Sequence, residues 1–208
     1  VYVYSKFKSE TIVLSYMEKG LTAQILRIGI VTGRFSDGVF QQKISHNAFY
    51  NRIKSLVMLG AVSANMLDNK IEFTPVDSCA KAIVTLAKNS ICDNKVFNLY
   101  NQNLMRVESL VEIFRMSGFN IDILSKEEFN NLLHSIATTN SYSALDYIVN
   151  DFSVDADNQL SLNYNFSVNI KSEFTINYLH MLGFDWPAIT DEYIYKIVNY
   201  MKKVGFIK

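Results

Sequence analysis

The sequence predicts an α/β fold with parallel strands in its first half and a mainly helical second half. Residues 1–101 alternate between helix and strand patterns. Alternating units of this kind imply a parallel sheet whose two faces are covered by helices. From about residue 102 the pattern changes to amphipathic helices. With 208 residues, of which 49% are hydrophobic, the chain is long enough to bury a substantial core.

The elements predicted for the first half are a helix at 4–19, a strand at 22–31, a helix at 48–60, a strand at 70–77, a helix at 78–89 and a strand at 95–101. Gly20 is placed to end the first helix as a left-handed cap, and Gly60 is the expected stop of the second. Gly29 interrupts the first strand, and a polar loop follows that strand. Pro75 stops the second strand, and Asp77 is expected to cap the helix after it.

The elements predicted for the second half are helices at 106–118, 125–137, 143–151, 172–182 and 190–204, with a strand at 119–124. The helices are assigned because their apolar side chains recur on one face. Ser125 and Glu128 form the S-x-x-E pattern of a capping box, which marks the start of the second of these helices.

Composition and charge exclude several classes of function. Twenty basic residues balance twenty acidic ones, so the net charge gives no support for binding to nucleic acid or to an anionic membrane. No apolar run approaches the roughly 20 residues that span a bilayer. The three histidines are far apart and lack metal-binding spacing, so no metal site is expected. Cys79 and Cys92 are expected to be free buried thiols in a reducing compartment, and the predicted location is cytoplasmic.

The sheet predicted from these elements is incomplete. Only the strands at 22–31 and 95–101 are expected to be parallel neighbours. A parallel sheet needs several neighbouring strands with both faces covered. We therefore expect most of the sheet to lie upstream of Val1, in a missing N-terminal half of the same protein.

Tyr2 and Lys6 form a Tyr-x-x-x-Lys pair at the start of the chain. Residues four apart on a helix lie on the same face, one turn apart. A nearby ammonium group stabilises a phenolate, so a phenol in this setting can exchange a proton with a substrate oxygen near neutral pH. The spacing alone does not distinguish this pair from a solvated helix face, and Tyr4 and Lys8 repeat it in another frame.

The order of several further motifs resembles an extended short-chain dehydrogenase/reductase. These motifs are Tyr2-x-x-Ser5-Lys6, Glu10, Leu26-Arg27-Ile28-Gly29-Ile30-Val31-Thr32-Gly33, Thr74-Pro75-Val76-Asp77 with Ala80 and Ala82, and Val96-Phe97-Asn98-Leu99. More narrowly, the combination resembles the thioester reductase family, which comprises the terminal reductase domains of non-ribosomal peptide synthetases and their fatty-acyl and carboxylic acid reductase relatives. The segment from Gly183 to Lys208 resembles the C-terminal helices of that family.

The resemblance implies an extended Rossmann-type, doubly wound fold. It also implies that two parts of the chain have different functions. Residues 1–101 would be the C-terminal remainder of the NAD(P)-binding domain, with 34–73 contributing to the substrate side. Residues 102–208 would form a mainly helical subdomain that binds the substrate and docks the carrier domain.

The resemblance also implies a reaction and its site. An NADPH-dependent reductase would release a peptidyl or acyl thioester, bound to the phosphopantetheine of a carrier domain, as an aldehyde or an alcohol. Tyr2 would be the catalytic acid, and Lys6 would be its helper and a contact to the nicotinamide ribose. The backbone of Ile28, Gly29 and Ile30 would line the nicotinamide side.

The sequence departs from the family pattern at two places. Ile28 stands where the family usually has Pro. The G-x-x-G-x-x-G phosphate loop is absent, because Gly29, Gly33 and Gly38 have neither its spacing nor its strand-turn-helix context. The third catalytic residue of the family, a Ser or Thr, is expected upstream. The chain by itself is therefore expected to be inactive.

Two other interpretations stay open. Another extended short-chain enzyme, such as a nucleotide-sugar epimerase, would keep Tyr2 and Lys6 but would need no carrier domain. Alternatively, the chain acts only as a module that binds a carrier domain. The basic residues considered for such docking are Arg34, Lys43, Arg52 and Lys54, for which a solvated surface is the simpler explanation.

Overall fold

A computed structural model of the chain describes residues 2–138, 152–154, 160–162 and 171–208. It contains two compact units, each assembled from separate segments of sequence. The first unit comprises Val1–Thr32, Glu72–Asn103 and Asn169–Ala188, and the second comprises Gly33–Ile71, Leu104–Val168 and Ile189–Lys208. The functional division into residues 1–101 and 102–208 concerns cofactor and substrate binding, and it remains a prediction.

The α-helices of the described residues are α1 (Tyr2–Met17), α2 (Ala48–Leu59), α3 (Val76–Ala87), α4 (Val107–Met116), α5 (Lys126–Thr138), α6 (Glu173–Met181) and α7 (Asp191–Lys203). The strands in the same ranges are β1 (Ile25–Ile28), β2 (Val31–Thr32), β3 (Ala61–Ser63), β4 (Lys70–Ile71), β5 (Thr74–Pro75), β6 (Val96–Leu99), β7 (Met105–Arg106), β8 (Asp122–Leu124), β9 (Phe152–Val154) and β10 (Leu160–Leu162). Each helix predicted within these ranges is confirmed, with ends that differ by at most two residues. The helix predicted at 143–151 lies outside the described residues.

Parallel strands form the sheets of the first unit. β1 pairs with β6 in a register that places Ile25 opposite Val96. Beyond a break at Gly29 and Ile30, β2 pairs in parallel with β5. The β1–β6 pairing confirms that the first and last strands predicted in residues 1–101 are parallel neighbours.

Side chains from α3, β6, α6 and the short turn before β6 form a buried core cluster in the first unit. Its fully buried members are Ala82, Leu86, Cys92, Phe97, Leu99 and Leu179. The ring centroids of Phe97 and Phe174 lie 5.6 Å apart, and Trp186 packs against the same cluster. Cys79 and Cys92 are both free and buried, as predicted.

Helices dominate the second unit. β3 pairs in parallel with β8, whereas β4 and β7 are antiparallel, as are β9 and β10. α4 packs against α7 and buries Leu110, Ile113 and Phe114. The parallel pairing of β3 with β8 was not predicted, because three-residue strands are too short for a recognisable alternating pattern.

The strand predicted at 70–77 is wrong, because two separate short strands replace it. β4 pairs antiparallel with β7, whereas β5 pairs in parallel with β2. Between them, the Glu72 carboxyl group accepts a hydrogen bond from Ile30 N–H at 2.7 Å, and Pro75 has no N–H with which to continue a ladder. Asp77 is not the helix cap that was predicted. Pro75 occupies that position, and Asp77 lies in the first turn of α3, where its charge suits the helix dipole.

α1 has no buried residue. Several of its large apolar side chains face solvent, with Phe7 64% and Ile12 57% exposed. Gly20 has the predicted left-handed conformation after the helix, with φ of 99°. Within the described part of the chain, every helix is too short or too polar to cross a membrane.

Side-chain caps begin three helices of the second unit, including α7, where the Thr190 hydroxyl accepts from Tyr193 N–H at 3.3 Å. Ser125 and Glu128 form the predicted capping box of α5. Ser125 N–H donates to the Glu128 carboxylate at 2.8 Å, and Glu128 N–H donates to the Ser125 hydroxyl at 3.2 Å. Asn47 caps α2, where its Oδ1 accepts from Tyr50 N–H at 3.1 Å.

Replacing Asn47 by Ala is expected to lower the free energy of unfolding by about 1 kcal/mol, because Tyr50 N–H loses its acceptor. Asn47→Asp keeps an acceptor oxygen and is the matched control. Denaturant unfolding followed by circular dichroism measures both variants. Equal midpoints for the two would show that the cap contributes nothing.

Candidate active site

Tyr2 and Lys6 lie together on the first turns of α1. The Lys6 ammonium nitrogen is 5.5 Å from the centroid of the Tyr2 ring, and the Tyr2 side chain is open to solvent, since the residue is 73% exposed. The Ser5 hydroxyl donates to the Tyr2 carbonyl oxygen at 2.7 Å. The structure therefore brings the two side chains together, while their catalytic roles remain predictions.

Tyr4 and Lys8 show the same local geometry. The Lys8 ammonium nitrogen is also 5.5 Å from the centroid of the Tyr4 ring, and Tyr4 is 63% exposed. Local contact alone does not choose between the two pairs. The motif Tyr2-x-x-Ser5-Lys6 followed by Glu10 is what favours the Tyr2–Lys6 pair over Tyr4 and Lys8.

An ion pair between Glu10 and Arg27 joins α1 to β1. Arg27 on β1 donates from Nε to the Glu10 carboxylate at 3.1 Å, and its Nη2 makes a second bond to the other carboxylate oxygen. The hydrogen bond from Arg27 lowers the pKa of Glu10, and the same bond raises the pKa of Arg27. Two motifs of the resemblance, Glu10 and the Arg27 strand, are thus joined in space.

A pocket of about 390 Å³ lies where β1 and β6 end. Its lining residues are Arg27, Ile28, Gly29, Asn98, Tyr100 and Lys171. Ligands of parallel sheets bind at the carboxyl ends of the strands, which is the position of this pocket. Two of the predicted cofactor contacts, Ile28 and Gly29, line it, whereas Tyr2, Lys6 and Ile30 do not.

The backbone of Gly29 and Ile30 is held from two sides. Gly29 N–H donates to the Leu99 carbonyl oxygen at 2.9 Å and so extends the pairing of β1 with β6. Ile30 N–H donates to Glu72 Oε1 at 2.7 Å, and Ile30 O accepts from Thr74 N–H at 3.0 Å. A Cβ atom on Gly29 would lie 2.0 Å from Glu72 Oε1 and 2.6 Å from Tyr100 Cβ, so only glycine fits there.

Glu72 was not predicted as a site residue. Its carboxyl group lies mostly out of solvent, and burial raises its pKa, against the lowering effect of hydrogen bonds from Thr74 and Ile30. In the sequence, Glu72 could have been recognised only as an acidic residue between the apolar Ile71 and Phe73. An acid in such a place is costly unless its oxygens are hydrogen-bonded.

Gly33 and Gly38 belong to a tight turn rather than to a phosphate loop. A Cβ on Gly33 would lie 2.3 Å from the Gly38 carbonyl oxygen. Two phenols hold the turn: Gly33 N–H donates to the Tyr50 hydroxyl at 2.8 Å, and the Tyr193 hydroxyl donates to Gly33 O at 2.7 Å. Burial raises the pKa of Tyr50, which suits a structural hydrogen bond rather than proton transfer.

The described residues contain no group of three or more His, Cys, Asp or Glu side chains arranged to hold a metal ion. His180 instead pairs with Asp185 at the surface, with Nδ1 2.8 Å from the carboxylate.

Similarities to known proteins agree with the fold and with the order of motifs. An NAD-binding family described as male sterility protein matches residues 1–83. A thiolation-reductase di-domain from an archaeal non-ribosomal peptide synthetase is 31% identical, with a TM-score of 0.85, over 100% of this chain and 41% of that one. The terminal R domain from the myxalamid PKS-NRPS biosynthetic pathway has the same fold, with 23% identity and a TM-score of 0.78, over 98% of this chain and 50% of that one.

A further similarity is to a linear gramicidin synthase of Brevibacillus parabrevis, which is 23% identical over 215 residues, or 100% of this chain and 4% of that protein. The chain thus spans at most half the length of each of these proteins. The family match, the parallel strands and these similarities agree with the resemblance found in the sequence: residues 1–83 match an NAD-binding family, and the chain is similar to the terminal reductase domains of non-ribosomal peptide synthetases.

Proposed function

We propose that the chain is part of a thioester reductase that uses NADPH to release a peptidyl or acyl group from a carrier domain as an aldehyde or an alcohol. The observation that carries this proposal is the Tyr2–Lys6 pair on a helix joined by the Glu10–Arg27 ion pair to β1. β1 ends at the pocket lined by Ile28 and Gly29. An acid and a candidate binding pocket thus lie on connected elements.

Tyr2 and Lys6 have complementary roles in this proposal. Tyr2 donates a hydrogen bond to the thioester carbonyl oxygen, where negative charge develops as hydride adds to the carbonyl carbon, and then gives that oxygen its proton. The C–S bond of the resulting hemithioacetal then breaks, the hydroxyl proton passes to the leaving sulfur, and the products are the aldehyde and the free thiol of the carrier. Lys6, whose ammonium nitrogen lies 5.5 Å from the Tyr2 ring centroid, would assist Tyr2 and would bind the ribose hydroxyls of the cofactor. The exposure of Tyr2 leaves its hydroxyl accessible to a substrate.

The pocket lined by Ile28 and Gly29 is the place proposed for the nicotinamide end of NADPH, which supplies the hydride when it is bound. Glycine at position 29 allows the backbone to approach its neighbours more closely than any side chain would permit. Ile28, Gly29 and Ile30 would line the nicotinamide side. The pyrophosphate end needs a glycine-rich loop at a helix N-terminus, and the Gly33–Gly38 turn does not provide one.

A carrier domain is the proposed partner. The archaeal relative is itself a thiolation-reductase di-domain. The basic residues considered for docking contribute little to this proposal, since Arg34 pairs with Asp37 at 2.5 Å and the Lys54 ammonium lies 4.9 Å from the Phe206 ring centroid.

The dinucleotide-binding part of a reductase domain is the second proposed partner. α1 buries none of its residues and exposes the apolar side chains of Tyr4, Phe7 and Ile12. Burial of such side chains is favourable by about 25 cal/mol per Å² of apolar area, so a packed partner would stabilise α1.

The proposed function is tested with the complete protein, NADPH and an acyl thioester on a carrier domain. We expect NADPH oxidation and release of an aldehyde or alcohol only when the carrier-bound thioester is present. A nucleotide sugar in place of the thioester is the matched control. If the protein oxidises NADPH or forms an epimer with the nucleotide sugar, and does not react with the thioester, the result would favour a nucleotide-sugar enzyme instead.

A further inference from the structure

One oxygen of the Glu72 carboxyl group receives two hydrogen bonds. Oε1 accepts from Ile30 N–H and from the Thr74 hydroxyl, each at 2.7 Å. Thr74 also binds Ile30 from the other side, because its N–H donates to Ile30 O at 3.0 Å. Both backbone polar groups of Ile30 are therefore fixed by the segment from Glu72 to Thr74.

The same carboxyl group occupies the space above Gly29. A Cβ at position 29 would lie 2.0 Å from Glu72 Oε1, a distance that no real contact adopts. Gly29 and Glu72 are therefore sterically matched. Gly29 lines the pocket at the end of β1, so its position sets the shape of that wall.

The hydrogen bonds continue from Thr74 to two other segments of the first unit. The Thr74 hydroxyl accepts from Asn101 N–H at 2.9 Å, and Asn101 Nδ2 donates to the Pro187 carbonyl oxygen at 3.0 Å. Thr74 and Asn101 are completely buried. The loops that follow β1 and β6 are thus joined to the Trp186-Pro187 segment through Glu72 and Thr74.

Keeping an acidic group in this place opposes stability. Burial raises the pKa of Glu72, which means that its ionised form is disfavoured there. Burial and the nearby Glu72 charge also raise the pKa of the Cys79 thiol to about 11. An apolar side chain would avoid this cost, but it would leave Ile30 N–H and the Thr74 hydroxyl without their acceptor.

We propose that Glu72 is a positioning residue, whose carboxyl oxygen binds Ile30 N–H and so fixes the adjoining Gly29 backbone in the wall of the pocket proposed for the nicotinamide end of the cofactor. This inference rests on the proposed function, because it takes that backbone to be the cofactor wall. It adds a role for a residue outside the Tyr2–Lys6 pair. Glu72 acts through Ile30 and does not itself touch the substrate.

The test compares Glu72→Met with Glu72→Gln in the complete protein. Gln keeps an acceptor oxygen, whereas Met has a similar length and no such oxygen. We expect Glu72→Met to weaken NADPH binding by about tenfold or more, and Glu72→Gln to restore it to within about threefold of wild type. NADPH fluorescence measures the binding without any thioester.

Hydrogen exchange at the Ile30 amide gives a second readout that does not depend on activity. We expect this exchange to be at least about tenfold faster in Glu72→Met than in Glu72→Gln, while the thermal midpoint shows whether each variant is folded. Fast Ile30 exchange together with wild-type NADPH affinity in Glu72→Met would overturn the inference, as would slow exchange in a folded Glu72→Met. A wild-type protein that binds NADPH but reduces no thioester would overturn the proposed function alone.

Discussion

Gly29→Ala is expected to lower the activity of the complete reductase by roughly 100-fold, since displacement of a site by about 1 Å has effects of this size. The new Cβ would lie 2.0 Å from Glu72 Oε1 and 2.6 Å from Tyr100 Cβ. Relief of this overlap must move either the carboxyl group away from Ile30 N–H or the backbone out of the pocket wall. Overpacking of this kind also destabilises a protein by about 1–3 kcal/mol.

Gly20→Ala is the matched control for Gly29→Ala. Nothing lies within 4 Å of a Cβ at position 20, so the variant introduces only backbone strain from a φ of 99°. We expect it to be destabilised by about 1 kcal/mol and to keep its activity. Steady-state rates measure the loss of activity, and denaturant unfolding measures the loss of stability. Equal activity in both variants would contradict the close packing of Gly29 against Glu72.

Tyr2→Phe is expected to lower kcat by about 10²–10⁴-fold, the usual contribution of a general acid. The ring and its contact with Lys6 are kept, and only the hydroxyl that protonates the substrate oxygen is lost. Because Tyr2 is 73% exposed in the structure, removal of its hydroxyl should leave the free energy of unfolding almost unchanged. Thermal unfolding of the variant checks that second expectation.

Local sequence signals were sufficient for the helices. Periodic apolar residues and end signals such as Gly60 and the Ser125–Glu128 capping box act within a few residues, so a pattern along the chain reveals them. The parallel pairing of β1 with β6 also followed from the alternation of helix and strand.

Other contacts between distant segments could not be predicted from local patterns. The strand predicted at 70–77 failed because its two ends pair with different partners, β7 and β2, in different compact units. Glu72 was missed for the same reason, since its partner Ile30 is 42 residues away in sequence. A single acid in an apolar segment indicates burial, but it does not reveal which donors meet it.

The candidate site was predicted from a combination of motifs, not from one spacing. Tyr2–Lys6 and Tyr4–Lys8 have the same ring-to-ammonium distance of 5.5 Å, so local geometry cannot rank them. The context of Ser5, Lys6 and Glu10 favours the first pair, and the Glu10–Arg27 ion pair joins that context to β1. The choice of Tyr2 is therefore a specific prediction that mutation can contradict.

The most direct measurement is the rate of NADPH oxidation by the complete protein with a saturating carrier-bound thioester, for wild type, Tyr2→Phe and Tyr4→Phe. Each variant loses one phenol hydroxyl, and the two positions lie two residues apart on one exposed helix. We predict that Tyr2→Phe is slower than wild type by about 10²-fold or more and that Tyr4→Phe stays within about threefold of it. A Tyr2→Phe variant as fast as wild type, or a Tyr4→Phe variant as slow as Tyr2→Phe, would contradict the assignment of Tyr2 as the catalytic acid.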